Sequence, residues 1–164
     1  MKIEDVARRL QILEDKDAIK DLHREYVYNL NNQQWVQMAD SFTDDAILKL
    51  YRHPLCRGRQ QIRDYFVENM SKVNTGMGRD SHFATMPVIE INGDTAKGHW
   101  MLYILIADPV TGNALKWKYG RYESTYEKIK GQWKFKQLVW ITPWPRQPDT
   151  LPKAEDLKEL GIDW

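Results

Sequence analysis

Two strand-like runs make up the segment ALKWKYGRYESTYEKIKGQWKFKQLVWI, residues Ala114–Ile141. Apolar and polar residues alternate through both runs, and this spacing is typical of half-buried strands. The short Lys130-Gly131 step between the runs predicts a long β-hairpin. Because the 7 Trp and 8 Tyr of the chain can fill a core or line a ligand pocket, the hairpin predicts an architecture but not a reaction.

The length and charge of the chain are those of a small soluble domain. Its 164 residues are expected to form one domain over 1–164, with a core at about 3–141 and a C-terminal tail at 142–164. The net charge is +1 with both signs interspersed, so no nucleic-acid partner is expected. The single Cys56 excludes an internal disulfide. No apolar run approaches about 18 residues and no signal peptide is recognisable, so we expect a cytoplasmic protein without a membrane partner.

The first part of the chain has helical periodicity. Apolar residues recur at helical spacing from Ile3 to Leu30 around an acidic break at Glu14-Asp15, which predicts one broken helix or two helices. A short helix is predicted at 35–42, a turn at 43–45, a brief strand at 46–51 and a third amphipathic helix at 59–70. The glycines of 74–78 predict a loop.

Beyond that loop, alternation replaces the helical pattern. Strands are predicted at 83–91 and 95–106, on either side of an Asn92-Gly93-Asp94 turn. After Ile141 the prolines of TPWPRQPDTLP prevent a central strand, and a short terminal helix is predicted in KAEDLKELGI. Helices followed by strands with tight turns indicate an α+β domain in which the helices cover one face of a curved antiparallel sheet.

Four segments match one known family of this architecture. They are AIKDLHREYVYNLNNQQW at Ala18–Trp35, FTDDA at Phe42–Ala46, SHFATMPVIEINGDTAKGHW at Ser81–Trp100 and GRYESTYEKIKGQWKF at Gly120–Phe135. Together they resemble the SnoaL-like branch of the nuclear transport factor 2-like (cystatin-like α+β barrel) superfamily. That superfamily includes scytalone dehydratase, bile acid 7α-dehydratase, hexachlorocyclohexane dehydrochlorinase, ketosteroid isomerase and polyketide cyclases. The resemblance implies a conical half-barrel with a curved, mixed sheet, and it leaves the substrate open because one fold hosts many chemistries.

His82 is the first candidate catalytic residue. It follows the 74–78 loop at the start of a strand, and an imidazole that titrates near neutrality can take up or return a proton. A structural histidine bonded to a backbone carbonyl fits the same position. In the dehydratase and dehydrochlorinase members that the chain resembles, the histidine five residues before the proline at Pro87 is the general base, which implies this role for His82.

Tyr26 is the second candidate. It lies on the apolar stripe of its helix, so its buried hydroxyl would donate a proton, stabilise an oxyanion or make a structural hydrogen bond. The resemblance to the bile acid dehydratase pattern IK-[DE]-L-x-x-x-Y places the pocket tyrosine of that enzyme at Tyr26. Tyr28 lies roughly 200° further round the helix and is not expected to share this face.

Two positions depart from the family's pattern. Asn31 stands where related enzymes carry an aspartate that orients the histidine, and Ile104 stands where the bile acid dehydratase has a second pocket aspartate. An asparagine can fix an imidazole tautomer by hydrogen bonding but cannot stabilise an imidazolium by charge. Four aspartates are candidates for a replacement charge: Asp40, Asp44, Asp45 and Asp80.

No cofactor and no metal are expected. The sequence has no phosphate-binding glycine loop and no nucleophile signature. Its other histidines, His23, His53 and His99, lack the spacing of metal ligands. The thiol of Cys56 is interpreted as incidental.

The strand at 98–106 is apolar on both faces, so both faces are expected to be buried. One face carries Trp100, Leu102, Ile104 and Ile106, and the other carries Met101, Tyr103 and Leu105. The first face can fill the cone. The second predicts a homodimer or homotrimer through the sheet, as is common in the superfamily that the chain resembles, or burial under the chain's own tail.

These features predict a cofactor-independent lyase or isomerase, with dehydratase-like proton abstraction, acting on a hydrophobic cyclic small molecule. His82 would abstract the proton, Tyr26 would assist the leaving oxygen or enolate, and Asn31 would hold the imidazole or the substrate. Five residues are predicted to bind the substrate: Trp35, Trp100, Ile104, Tyr122 and Trp140. Two other classes stay open, a non-catalytic small-molecule-binding domain and an accessory subunit that docks a larger enzyme through its sheet.

Overall fold

The computed structural model describes residues 2–51, 53–70, 80–108, 110–142, 158–159 and 161. Within these residues the helices are α1 (Ile3–Asn31), α2 (Trp35–Asp40) and α3 (Arg59–Tyr65), and a turn of π-helix follows at Phe66–Met70. The strands are β1 (Phe42–Leu50), β2 (Leu55–Arg57), β3 (Asp80–Asn92), β4 (Thr95–Ala107), β5 (Ala114–Ile129) and β6 (Gln132–Ile141). The predicted 74–78 loop and most of the predicted terminal helix lie outside the described residues, although Lys158 and Glu159 are helical.

The strands form one curled half-barrel sheet in the order β2-β1-β6-β5-β4-β3. Neighbouring strands are antiparallel except β1 and β6, which are parallel. Helix α1 packs against β3 and β6, and α2 and α3 pack against β1. The predicted α+β architecture, with N-terminal helices over a mixed sheet, is confirmed.

The β5–β6 hairpin forms as its alternation predicts. Lys130 and Gly131 have φ angles of 51° and 81°, the left-handed backbone of a tight hairpin turn, and Ile129 pairs with Gln132 across it. Alternate aromatic residues of the hairpin are buried against the helices: Tyr122, Tyr126, Trp133 and Phe135. These rings form the floor of the core.

Helix α1 is continuous, so the predicted break at Glu14-Asp15 was wrong. Asp15 is buried because its Oδ1 accepts hydrogen bonds from the Trp133 indole at 3.0 Å and pairs with the Lys128 ammonium at 2.6 Å. The apolar stripe before Asp15 is exposed, since this half of the helix extends beyond the sheet, as the exposed fractions of Ile3 (82%) and Leu13 (63%) show. Among the described residues, no helix combines the length and the apolar character needed to cross a bilayer.

The predicted turn at 43–45 was also wrong, because β1 begins at Phe42. The polar residues stay in the strand because the pairing of β1 with β6 is irregular between Phe42 and Ile47. Asp44 and Asp45 are exposed there and pair with Arg59 and Lys136. The predicted helix at 59–70 ends as an α-helix at Tyr65 and continues as a π-helical turn. The short strand β2 had no clear signal in the sequence, and Cys56 lies buried in it.

The two faces of β4 differ in burial. Trp100, Leu102 and Ile104 are buried on the inner face, as predicted, whereas Ile106 on the same face is only half-buried. On the outer face Tyr103 remains 38% exposed and Met101 is half-buried, so the expectation that both faces are buried was wrong for the described part of the chain.

Candidate active site

A cavity of about 230 Å³ opens between the inner face of the sheet, the C-terminal end of α1 and the π-helical turn. We call it the central cavity. Its apolar lining consists of Leu30, Leu50, Phe66, Met70, Ile104 and Trp140. Its polar lining consists of Asn31, Gln33, Tyr51, His53, Asp80, His82, Lys118 and Tyr122. An apolar enclosure with a few convergent polar groups is typical of small-molecule sites.

Asn31 and His82 meet at the edge of this cavity. The Asn31 Oδ1 accepts a hydrogen bond from the His82 backbone N–H at 2.7 Å, and the Asn31 Nδ2 donates to the His82 backbone carbonyl at 3.0 Å. The same Oδ1 lies 3.2 Å from the His82 ring Nδ1. One carboxamide therefore fixes both the strand and the imidazole.

The two backbone contacts determine the tautomer of His82. Because the backbone N–H and C=O fix which end of the Asn31 amide is oxygen, the ring Nδ1 faces an acceptor and must carry the proton. The Nε2 atom forms no hydrogen bond within the described part of the chain and is not among its enclosed unpaired atoms. Its lone pair is therefore unpaired and accessible from a space that His82 lines, either the central cavity or a groove between α1 and β3, which is the form a general base requires.

The environment of His82 keeps its ring neutral. Burial, and then the positive charge of Lys118, lower the pKa of His82 from 6.5 to about 4. No carboxylate of the described residues hydrogen-bonds the ring. Of the four aspartates considered for this task only Asp80 lines the cavity, where burial raises its pKa against the opposing effect of Lys118 and Lys116.

A second imidazole, that of His53, also lines the cavity, and it contacts the phenol of Tyr65, which is not part of the lining. The Tyr65 hydroxyl hydrogen-bonds the Nδ1 of His53 and lies 3.6 Å from the Met70 sulfur. Burial raises the pKa of Tyr65 to about 12, and burial together with Lys118 and Lys49 lowers the pKa of His53. Both groups are therefore uncharged at neutral pH and can exchange hydrogen bonds with a ligand.

Tyr26 lies behind the cavity wall and does not line it. Its hydroxyl is fully buried without a hydrogen bond of normal geometry, and the polar group with which it interacts is the Tyr122 phenol, which does line the cavity. Burial raises the pKa of both tyrosines well above the usual value, so both stay protonated. Tyr28 is 62% exposed, as expected from its position on the helix.

Three of the five predicted substrate-binding residues line the central cavity: Ile104, Tyr122 and Trp140. Trp35 does not line it and stacks on Phe66, with 5.6 Å between ring centroids. Trp100 stacks on His23 at 3.8 Å and lines a second, more open groove of about 520 Å³ between α1 and β3, whose lining also includes Asn31 and His82.

Two residues of the cavity, and one that contacts it, were missed or underrated from the sequence. His53 was set aside because it lacks the spacing of a metal ligand, and neither Lys118 nor Tyr65, the partner of His53, was considered as a site residue. The signal for Lys118 was the strand register, since His82 pairs with Ile104 and Ile104 pairs with Lys118. For His53 and Tyr65 no local pattern indicated that β2 and α3 fold back over the sheet. Within the described residues no cluster of three or more His, Cys, Asp or Glu side chains could hold a metal ion.

This half-barrel has the cystatin-like fold of an NTF2-like protein. More narrowly, the chain belongs to the family of SnoaL-like domains, whose model matches residues 11–139. A crystal structure of an NTF2-like protein with a cystatin-like fold from Novosphingobium aromaticivorans is similar, with a TM-score of 0.74, 16% identity and coverage of 88% of this chain and 92% of that one.

Two further solved structures share this fold. LinA has a TM-score of 0.71 and 18% identity, and the match covers 89% of this chain and 95% of LinA. A candidate scytalone dehydratase from Novosphingobium aromaticivorans has a TM-score of 0.68 and 20% identity, with coverage of 87% and 95%. At these identities the likeness is one of fold, so the chemistry must be argued from the site.

Proposed function

We propose that this chain is a cofactor-independent lyase or isomerase in which His82 removes a proton from a small, largely apolar cyclic substrate. The observation that supports the proposal is the clamp of Asn31 on His82. It holds a neutral imidazole in one tautomer, with the Nε2 lone pair unpaired and accessible. A SnoaL-like fold with a scytalone dehydratase candidate among its structural neighbours is consistent with this chemistry.

The reaction would begin at a C–H bond made acidic by a neighbouring carbonyl. His82 Nε2 takes the proton, and the C–H electron pair moves into the C–C bond and onto the carbonyl oxygen as an enolate. Return of the proton at another carbon gives an isomer. Expulsion of a β-hydroxyl group, protonated as it leaves, gives water and a C=C bond, which is a dehydration.

Tyrosine would supply the hydrogen bond to the oxygen. The Tyr122 phenol lines the cavity and stays protonated, so it can donate to an enolate or to a leaving hydroxyl. Tyr26 would act through Tyr122 from behind the wall. This arrangement assigns Tyr26 to positioning and gives Tyr122 the contact with substrate.

The cavity favours a substrate of one or two rings. Its volume of about 230 Å³ lies below the range of about 300–1,000 Å³ common for drug-sized ligands. Trp140, Ile104 and Phe66 provide flat apolar walls for such a ring system. Loss of water from these walls would strengthen the hydrogen bonds at His82 and Tyr122.

Proton abstraction can be tested without knowing the final product. We would incubate the full chain in D₂O with a panel of mono- and bicyclic hydroxyketones and follow deuterium uptake at carbon and loss of water by mass spectrometry. The wild-type chain should exchange at least one member of the panel, and His82→Gln should abolish the exchange while that compound still binds. Equal deuterium exchange by the wild-type chain and by His82→Gln would contradict the proposal.

One observation favours a second candidate, a non-catalytic small-molecule-binding domain. An imidazole with a pKa of about 4 is a weaker base than one matched to neutral pH, and Asn31 supplies no charge to stabilise the imidazolium. The same D₂O experiment distinguishes the two functions. A panel compound that binds the wild-type chain and is recovered without deuterium supports the binding domain.

The outer face of the sheet supports the predicted homodimer or homotrimer. Phe83, Tyr103, Trp117 and Tyr119 lie around a shallow depression of about 510 Å³, and Trp117 is 59% exposed. A group of exposed aromatic rings is typical of an interaction surface. Light scattering should give two or three chains per particle, and Tyr103→Glu should give monomers. A monomeric wild-type chain would instead favour an accessory subunit that uses this face for a larger enzyme.

A further inference from the structure

We propose that the ligand of the central cavity carries an anionic oxygen group, and that Lys118 recognises this group. The inference rests on the proposed function only in placing the ligand in the cavity, and it holds for a binding domain as well as for an enzyme. It specifies the ligand as an oxyanion and identifies Lys118 as a residue that determines specificity.

The strand register places Lys118 opposite the base. His82 in β3 pairs with Ile104 in β4, and Ile104 pairs with Lys118 in β5, so the three residues form one row across the sheet. Residues directly opposite one another share a face. Adjacent strands lie about 4.8 Å apart, which places the His82 and Lys118 backbones roughly 10 Å from each other. Ile104 is only 1% exposed and forms the floor between them.

Lys118 is available to a ligand. Its side chain is exposed, and the residue lines both the central cavity and the depression on the outer face of the sheet. Within the described residues its ammonium forms neither a hydrogen bond nor a salt bridge. A flexible, hydrated ammonium over an apolar floor can turn toward an anion without losing an existing partner.

The one carboxylate nearby does not cancel this charge. Asp80 belongs to the next row, in which it pairs with Ile106 and Ile106 pairs with Lys116. The positive charges of Lys116 and Lys118 act to lower the pKa of Asp80, against the effect of burial. Lys118 also lowers the pKa of His82. Lys118 and Lys49 together lower the pKa of His53. Of these charged groups only Lys118 and Asp80 line the cavity. Burial raises the pKa of Asp80 and so disfavours its anionic form, which leaves the positive potential of Lys118 beside the two neutral imidazoles.

A positive potential beside a neutral base selects a particular ligand. A carboxylate or phenolate on a one- or two-ring compound would place its charge at Lys118 and its rings against Ile104 and Trp140. An enolate formed at His82 would be stabilised in the same way. The shared chemistry is a delocalised oxyanion, so a permanent anion and a reaction-generated one need separate measurements.

The permanent anion is tested by a matched pair of probes, 2-naphthoate and its uncharged isostere 2-naphthamide. Titration calorimetry on the full wild-type chain should show the naphthoate binding about fivefold or more tightly, and high salt should reduce this preference. Lys118→Met should bring the two affinities within about twofold, and Lys118→Arg should restore the preference. Lys116→Met, on the same strand and face but outside the cavity lining, is the matched control and should keep it.

The outcomes separate this inference from the proposed reaction. Equal binding of the two probes, no binding of 2-naphthoate up to millimolar concentration, or an unchanged preference in Lys118→Met would overturn it, whatever His82→Gln does in D₂O. Stabilisation of an enolate by Lys118 is tested with an uncharged ketone. Lys118→Met should slow the deuterium exchange of this ketone without weakening its binding. Circular dichroism establishes that each variant is folded.

Discussion

The carboxamide of Asn31 contacts His82 at its backbone N–H, its backbone carbonyl and its ring Nδ1. These contacts join the end of α1 to the beginning of β3. A carboxylate at position 31 could accept from the N–H and the ring, but it could not donate to the carbonyl 3.0 Å away. Asn31 therefore makes one more hydrogen bond to His82 than an aspartate could, but it supplies no charge to stabilise an imidazolium.

Asn31→Asp should raise the pKa of His82 from about 4 and lower the stability of the fold. The new negative charge beside Nδ1 favours the imidazolium, while loss of the donor to the His82 carbonyl costs about 1–3 kcal/mol. Histidine NMR titration and urea unfolding measure the two effects. Asn31→Leu is the control, since it removes the same hydrogen bonds without adding charge. An unchanged pKa in Asn31→Asp would contradict the contact between the two side chains.

Stability should fall as the pH is lowered from about 6.5 toward 4. In the unfolded chain His82 takes up a proton near pH 6.5, whereas the folded chain resists protonation until about pH 4, so the unfolded state binds more protons across this window. His82 alone accounts for up to about 3 kcal/mol of the loss, and the buried His23 acts in the same direction. Urea unfolding at pH 7, 6 and 5 measures the slope. His82→Gln should flatten it, and an equal slope in both proteins would argue against a buried, neutral ring.

Tyr26→Phe should leave stability unchanged or raise it slightly. The Tyr26 hydroxyl is buried without a hydrogen bond of normal geometry, so its removal also removes a desolvation cost. Tyr126→Phe is the matched control. The Tyr126 hydroxyl lies 2.6 Å from the His23 Nε2 and accepts from the Trp100 indole at 2.8 Å, and its loss should cost about 1–3 kcal/mol. Thermal unfolding that ranks the two variants in the opposite order would show that the contact of the Tyr26 hydroxyl with Tyr122 stabilises the fold.

Gly120→Ala should close part of the central cavity. A Cβ atom at position 120 would meet the Trp140 indole and would lie 2.7 Å from the Ile141 carbonyl oxygen. Both the indole and the β6 backbone at Ile141 have to shift to make room, and Trp140 is part of the cavity wall. Binding of 2-naphthoate should weaken about tenfold or more, whereas Gly93→Ala, where a Cβ meets nothing within 4 Å, should leave binding unchanged. Equal binding by the Gly120 variant would mean that Trp140 does not shape the site.

Local pattern was enough to predict strands β3 to β6, but it missed β2 and was much less useful for the site. Alternation identified the β5–β6 hairpin and the β3–β4 pair because side-chain direction in a strand follows from sequence position alone. The break predicted in α1 at Glu14-Asp15 was wrong because the partners of the buried Asp15, Lys128 and Trp133, lie more than 100 residues away in sequence. Such long-range compensation has no local signal.

The site depends on register and on which elements fold over the sheet. His82 and Asn31 were identified by resemblance, but their three contacts follow from how α1 docks on β3. Lys118 faces the cavity because β4 aligns it with His82, and a shift of one residue would turn it to the other face. Tyr26 has the periodicity of a pocket residue, yet Tyr122 occupies the space in front of it.

The proposed role of His82 depends most on the protonation state of its ring, and ¹⁵N-detected NMR measures that state directly. We predict a neutral imidazole with the proton on Nδ1 from pH 8 down to about pH 5, and protonation of Nε2 only near pH 4. That result would establish a fixed neutral base at His82. A proton on Nε2, or titration near pH 6.5, would contradict the clamp of Asn31 on His82 and with it the proposed role of His82.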